Sequence, residues 1–429
     1  MKINISKKIS SNIKKFESRS MQGQLPIVWK KAENFTIEDF YNKKYIDFTS
    51  TIFVSNIGHS NRKLISSLKK TLNKKLLHSY AYFHELRSIY LKKLVKFAGK
   101  GFDKAFLMSS GTEATEAALK LMRLNGIKNK KKKLGIICFE GNWHGRTMGA
   151  QLMSGNDQQK KWIGFKDPNI YHLPLPYPWK VKNDYKKFFY DSIKKIKRKI
   201  NIKKDICGVM VETFQGWGCI FYPKEYIVEL RKFCDKNNLL LSFDEMQAGF
   251  SRTGKNFGFQ HYGVKADLIC CGKGMGGGVA ISGVIGKKKI MDLPEIGNMS
   301  STNSANPLAC AAGIAVIDEI QNRKLNLKTT SLGKILSKHL KDISKKHGNL
   351  ISYVFSKGLV GAIIFNKNIK NVNGLVKNIT LTCLKDGLLV VFTGRESIKI
   401  GPPLTINKKA LIKGLKILDY AIIKETKKI

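Results

Sequence analysis

Lys273 stands in the run Leu268-Ile269-Cys270-Cys271-Gly272-Lys273-Gly274-Met275-Gly276-Gly277-Gly278. An apolar, strand-like stretch delivers it into a glycine-rich turn. Apolar walls disfavour an ammonium ion and lower its pKa, which makes the amine a nucleophile. Glycines let a bulky planar group approach the backbone. Those are the needs of a lysine that holds an aldehyde as a Schiff base. The plain alternative is a surface lysine in a loop. Asp244 lies twenty-nine residues earlier, where Leu239-Leu240-Leu241-Ser242-Phe243 runs into Asp244-Glu245-Met246-Gln247. A carboxylate at the end of a buried strand, facing a pyridine nitrogen, would keep that nitrogen protonated and the ring an electron sink. A helix N-cap after a strand is the bland reading of the same aspartate. The third piece is Ser109-Ser110-Gly111-Thr112-Glu113-Ala114. It reads as a loop opening a helix, whose free N–H groups and positive dipole end suit a phosphate. Plain N-capping by Ser110 or Thr112 fits the same residues.

These residues need a scaffold that brings strand ends together. Strand-like runs cover residues 134–139, 206–211, 239–244, 268–271 and 279–285. Helical patterns cover 112–124, 224–237 and 308–320. Alternating strands and helices predict βα units and a mostly parallel sheet. In such sheets ligands bind at the carboxyl ends of the strands, where Asp244 and Lys273 fall. Residues 41–54 read as a pair of short strands, the tail from Ser331 as mixed α and β, and residues 180–204 as a lysine-rich helix without chemistry.

Six segments, in order, resemble the class III (ω-) aminotransferases, which are fold-type-I pyridoxal-phosphate enzymes. They are Ser109 to Ala114, Gly141-Asn142-Trp143-His144-Gly145-Arg146-Thr147, Val211 to Gly216, Phe243 to Gly254, Gly272-Lys273-Gly274 and Ser301 to Pro307. The match covers roughly residues 25 to 420. The resemblance implies an α/β fold with a mostly parallel central sheet in a large domain (61–325) and a smaller α+β domain built from both chain ends (1–60 and 326–429). It implies pyridoxal 5'-phosphate held by Lys273, with Asp244 at the ring nitrogen and Gln247 at the 3-hydroxyl. Trp143 is implied to stack on the ring, and Glu212 to organise Asp244. Ser110, Gly111 and Thr112 match the phosphate loop. Thr302 matches a phosphate contact donated by a partner subunit, which implies a homodimer. Arg252 reads as structural.

The same resemblance places substrate contacts. Arg146 matches the arginine that grips a substrate carboxylate in γ-aminobutyrate and ornithine transaminases, a bidentate pairing that lysine cannot make. Ile52 falls at a pocket position, with Phe53 beside it. Two departures concern the amino acceptor. Relatives that use 2-oxoglutarate usually carry Glu where this chain has Trp217, paired with an arginine where this chain has Lys399; Arg395 is nearby. The expectation is transfer from a 4-aminobutyrate-like ω-amino acid to a 2-oxo acid, leaning to pyruvate. The alternatives are a glutamate-1-semialdehyde-type aminomutase, or a transaminase of β-alanine, taurine or acetylornithine. A non-catalytic or nucleic-acid-binding use of the scaffold is opposed by intact Lys273, Asp244 and Gln247.

At 429 residues with 43% apolar content the chain is long enough for two globular domains. Eight cysteines show no CxxC pair and no metal spacing, so a reduced, cytoplasmic protein without metal is expected. The basic segment 1–16 lacks a signal-peptide core, and no apolar run reaches membrane-span length. The net charge of +46 comes from lysine, 67 of the 77 basic residues. Clusters at 128–133, 194–199 and 287–289 carry no interleaved aromatics. The charge therefore reads as compositional bias on a solvated surface rather than a nucleic-acid site.

Overall fold

The computed structural model describes residues 2–427 apart from Gln22, Gln24, Lys182, Asn183 and Lys199. Lys199, the last member of one lysine cluster, thus lies outside the described residues. The chain divides into two compact units. One joins Met1–Arg62 to Lys328–Ile429; the other is Lys63–Leu327.

The larger unit is built on seven strands: β1 (Lys104–Met108), β2 (Gly135–Phe139), β3 (Ile170–Leu173), β4 (Ile206–Glu212), β5 (Leu240–Asp244), β6 (Leu268–Cys271) and β7 (Ser282–Gly286). Their order in the sheet is β1-β7-β6-β5-β4-β2-β3. All pairings are parallel except those of β7, which runs antiparallel to both neighbours. Every residue of β2, β4, β5, β6 and β7 is buried, which explains near-continuous apolar runs where a one-faced sheet would alternate. β7 begins at Ser282, later than the sequence pattern suggests, because Gly276 to Gly278 form a turn. The helix Gly111–Lys128, called α1 here, packs on the sheet through Ala114, Ala117, Ala118, Leu121 and Met122. Among the described residues from 180 on, the single expected helix is two: Tyr185–Lys197 and the four-residue Ile202–Asp205.

The smaller unit has two four-stranded sheets. One pairs Trp29–Glu33, Thr36–Asp39, Lys44–Asp47 and Leu388–Leu389 in that order. The other runs Ile351–Lys357, Val360–Phe365, Ser397–Ile400, Val391–Phe392. The two strands expected over residues 41–54 are corrected to one. Lys44–Asp47 pairs antiparallel with Thr36–Asp39. Ser50, Thr51, Ile52 and Phe53 form instead a left-handed turn, with φ of 45°, 51°, 60° and 69°. All eight cysteines are free thiols and buried. Among the described residues no helix is long and apolar enough to cross a membrane. No group of three His, Cys, Asp or Glu among them is placed to hold a metal.

Candidate active site

The carboxyl ends of β1, β2, β4, β5 and β6 all carry sequence-predicted residues. Asp244, the last residue of β5, pairs in register with Glu212 at the end of β4 and with Cys270 of β6. Two residues beyond that cysteine-bearing strand comes Lys273. Register therefore gathers Glu212, Asp244 and Lys273 on three adjacent strand ends. Lys273 adopts φ 44°, and its amine is held below the usual lysine range by desolvation, against the opposing pull of Asp244 and Glu212. A lowered amine pKa is what a nucleophilic lysine requires.

Asp244 is 4% exposed and its carboxylate is oriented at both oxygens. Oδ1 accepts the Met246 N–H at 3.0 Å, and Oδ2 lies 2.9 Å from His144 Nδ1. Facing a carboxylate, Nδ1 carries the proton. His144 is itself fixed, its N–H donating to Ser154 Oγ and its carbonyl accepting from Thr115 Oγ1. Sequence reasoning passed over His144. A lone histidine in a loop carries no sign that it will meet an aspartate 100 residues away.

Glu212 holds two neighbouring backbone segments. Its Oε2 accepts the N–H of Trp143 at 3.0 Å and that of Gly216 at 3.4 Å. It thus ties the aromatic loop to the turn after β4. Asn142 Oδ1 returns the link, accepting from Glu212 N–H and Tyr222 Oη. Gln247 packs against Gly216, where any Cβ would collide with its amide. Trp217 sits in the turn of the hairpin formed by Phe214–Gln215 and Ile220–Phe221. The guanidinium of Arg146 lies over the Trp143 ring, 4.6 Å from its centre.

Around the start of α1 one carboxylate gathers the loop's polar groups. Glu113 Oε2 accepts the N–H groups of Ser109 (3.1 Å) and Ser110 (2.6 Å) and the Ser110 hydroxyl (2.9 Å). Ser110 thus caps the helix, and the Gly111 and Thr112 N–H groups stand in its first turn, where a helix start offers donors. Thr112 Oγ1 pairs with Thr147 Oγ1 at 2.7 Å, and Thr147 in turn donates to Glu116. Thr302 is exposed, its carbonyl 2.8 Å from His78 Nε2, and has no described contact to the Lys273 cluster.

Ile52, Arg395 and Lys399 belong to the other unit. Ile52 is 43% exposed and Lys399 only 5%. The Lys399 ammonium stands 4.9 Å from the centre of the Phe53 ring. Arg395 pairs with its neighbour Glu396 at 3.3 Å, and Lys367 reaches the same carboxylate. Arg252 is fully buried.

The larger unit's residues suit a flat, anionic, aldehyde-bearing group. They offer a desolvated amine, an oriented carboxylate, an indole face and a helix start. Gly111 and Gly272 let both loops close on one methionine: a Cβ at either would meet Met246 Sδ, at 2.8 and 2.9 Å. Two buried polar atoms, Asn142 Nδ2 and His144 Nε2, have no hydrogen-bond partner among the described residues.

Sheet order and strand-end chemistry together define a fold-type-I pyridoxal-phosphate transferase. Residues 18–422 match the family model "Aminotransferase class-III", and the chain belongs to that family of pyridoxal-phosphate-dependent aminotransferases. It is 34% identical over 394 residues to the mitochondrial acetylornithine aminotransferase of Candida glabrata, covering 90% of this chain and 87% of that one. It is also 34% identical over 394 residues to ornithine aminotransferase 2 of Staphylococcus aureus (90% and 92% covered). Among solved structures, taurine:2-oxoglutarate aminotransferase from Bifidobacterium kashiwanohense, in complex with PLP and glutamate, superposes with a TM-score of 0.89. There the identity is 25%, with 98% of each chain covered.

Proposed function

We propose that this aminotransferase takes its amino group from a carboxylate-bearing ω-amino acid of the ornithine or acetylornithine kind and passes it to a small 2-oxo acid. The observation that carries the donor class is Arg146, an exposed guanidinium resting on Trp143 beside the strand-end cluster. A fork held by an aromatic face keeps its donors directed at a carboxylate. The relatives' names favour an ornithine-type donor over the 4-aminobutyrate read first from the sequence.

In this reading Lys273 holds pyridoxal phosphate, Gly111 and Thr112 receive its phosphate, Trp143 and Gln247 flank it, and Asp244 meets its ring nitrogen. When bound, the group supplies a carbonyl for the amine and a ring that draws electrons from the donor carbon. Lys273, its amine lowered by desolvation, would take the proton from that carbon and hold it for return on the far side of the intervening nitrogen. Asp244, oriented by His144 and the Met246 N–H, would meet the ring nitrogen with its carboxylate. Glu212 fixes the height of Trp143 through that residue's N–H.

On the acceptor side, Trp217 stands where an acid would be, and Lys399 where an arginine would be. Lysine is a point charge without a fork. That favours one carboxylate over two, and pyruvate over 2-oxoglutarate, since Arg395 is engaged with Glu396. Two copies of the chain would share the site through Thr302. The test is a panel of amines and oxo acids in separate half-reactions, followed by cofactor absorbance. Ornithine or N-acetylornithine should bleach the bound cofactor fastest. Faster reaction with 4-aminobutyrate would return the donor to the first reading. Borohydride reduction and peptide mapping should place the cofactor on Lys273, and a label on another lysine would refute the site.

A further inference from the structure

Four successive residues without glycine lie in the left-handed region, and two of them, Thr51 and Ile52, are β-branched. A left-handed residue brings its Cβ against the following carbonyl, and branching makes this worse. Backbone of that kind persists only where its surroundings over-determine it. Here they do. Asp47 Oδ1 accepts both the N–H and the hydroxyl of Thr49 at 2.7 Å. Ser50 Oγ donates to the Gly401 carbonyl at 2.7 Å, and Gly401 N–H donates to the Phe48 carbonyl at 2.7 Å. Gly401 lies just past the strand Ser397–Ile400, and any side chain there would collide with the Phe53 ring. The turn and the strand end are therefore interlocked.

The result is a ring placed under an ammonium. Phe53 is 1% exposed, Lys399 is 5% exposed, and Nζ stands 4.9 Å from the ring centre. A lysine stem has four rotatable bonds, so where its charge ends depends on what surrounds it. An aromatic face attracts the charge, more strongly where water is thin. We infer that Phe53 is a positioning residue, held by the left-handed turn, which fixes the ammonium of Lys399 as a one-point receptor for the carboxylate of the oxo-acid acceptor. This rests on the assignment of Lys399 to the acceptor proposed above.

The test uses the full-length holoenzyme and its acceptor half-reaction with pyruvate. Phe53→Leu should raise the KM for pyruvate about three- to tenfold, the range that a desolvated ring–ammonium contact supports. The limiting rate should stay within about twofold, since nothing at Lys273 changes. Phe53→Trp, which restores a ring face, should recover most of the loss. Should Phe53→Leu fail to fold, Phe53→Met, also ringless, carries the same comparison. Equal KM values in the ringless and aromatic variants would overturn the inference. Lys399→Gln separates the two readings. If it raises the KM for pyruvate while the ringless variants do not, only the role of Phe53 falls. If it leaves that KM unchanged, the acceptor role of Lys399 falls first and Phe53 with it.

Discussion

Single side chains set the chemistry, and each makes a measurable claim. Arg146 is exposed yet anchored on Trp143. Arg146→Lys should cost roughly 1.5–3 kcal/mol in transition-state binding of carboxylated donors, the scale of a charge-assisted hydrogen bond. Neutral amines should lose far less; equal losses in kcat/KM would make Arg146 structural. Glu245 makes a claim about pH. It is fully buried, accepts Gly258 N–H and Phe259 N–H at 2.7 Å each, and is bonded to Thr213. Burial pushes its carboxyl from 4.5 up to about 7, only partly opposed by those bonds. The folded state thus holds the proton more tightly than the unfolded chain does. The group's contribution to stability is full below about 4.5 and is lost as pH rises through about 7. Glu245→Gln should flatten that part of the stability curve in denaturant titrations between those values. An unchanged slope would show that the carboxyl titrates normally.

At the scale of elements, strand ends were legible and long-range partners were not. Asp244 and Lys273 announce themselves because apolar runs stop at them, and their neighbours in register follow from a parallel sheet. His144 and Glu113 gave no such signal. One finds its partner across 100 residues, and the other uses the same serine that a phosphate loop would. Residues 50–54 misled outright. Thr51-Ile52-Phe53-Val54 has strand propensity, but the Gly401 contacts impose the opposite sign of φ. That strain is testable. Ile52→Gly removes a left-handed Cβ from a side chain already 43% exposed. Net stability should rise by roughly 0.5–1 kcal/mol, after the entropy that glycine costs. A lower Tm than the parent would mean the turn is not strained.

The whole molecule should work as a pair of chains. Thr302 is exposed, its carbonyl bonded to His78, and in the proposed function it reaches into a partner's site. Mixing inactive Lys273→Ala and Thr302→Ala chains should restore part of the activity on subunit exchange; a fully active monomer would end the proposal. The buried cysteines have a different consequence. Cys219 is fully buried, and burial pushes the other seven thiols above their ordinary range, Cys207 to about 11 and Cys234, Cys310 and Cys383 to about 12. Thiolate, the form that alkylating reagents attack, is scarce at neutral pH in every one of those seven. The native protein should therefore be nearly silent to a thiol reagent, and the unfolded chain should titrate all eight. A cysteine installed at an exposed position such as Ile296 would then take up a fluorophore or spin label alone. Spectroscopists could follow this enzyme through its catalytic cycle without first removing a single native thiol.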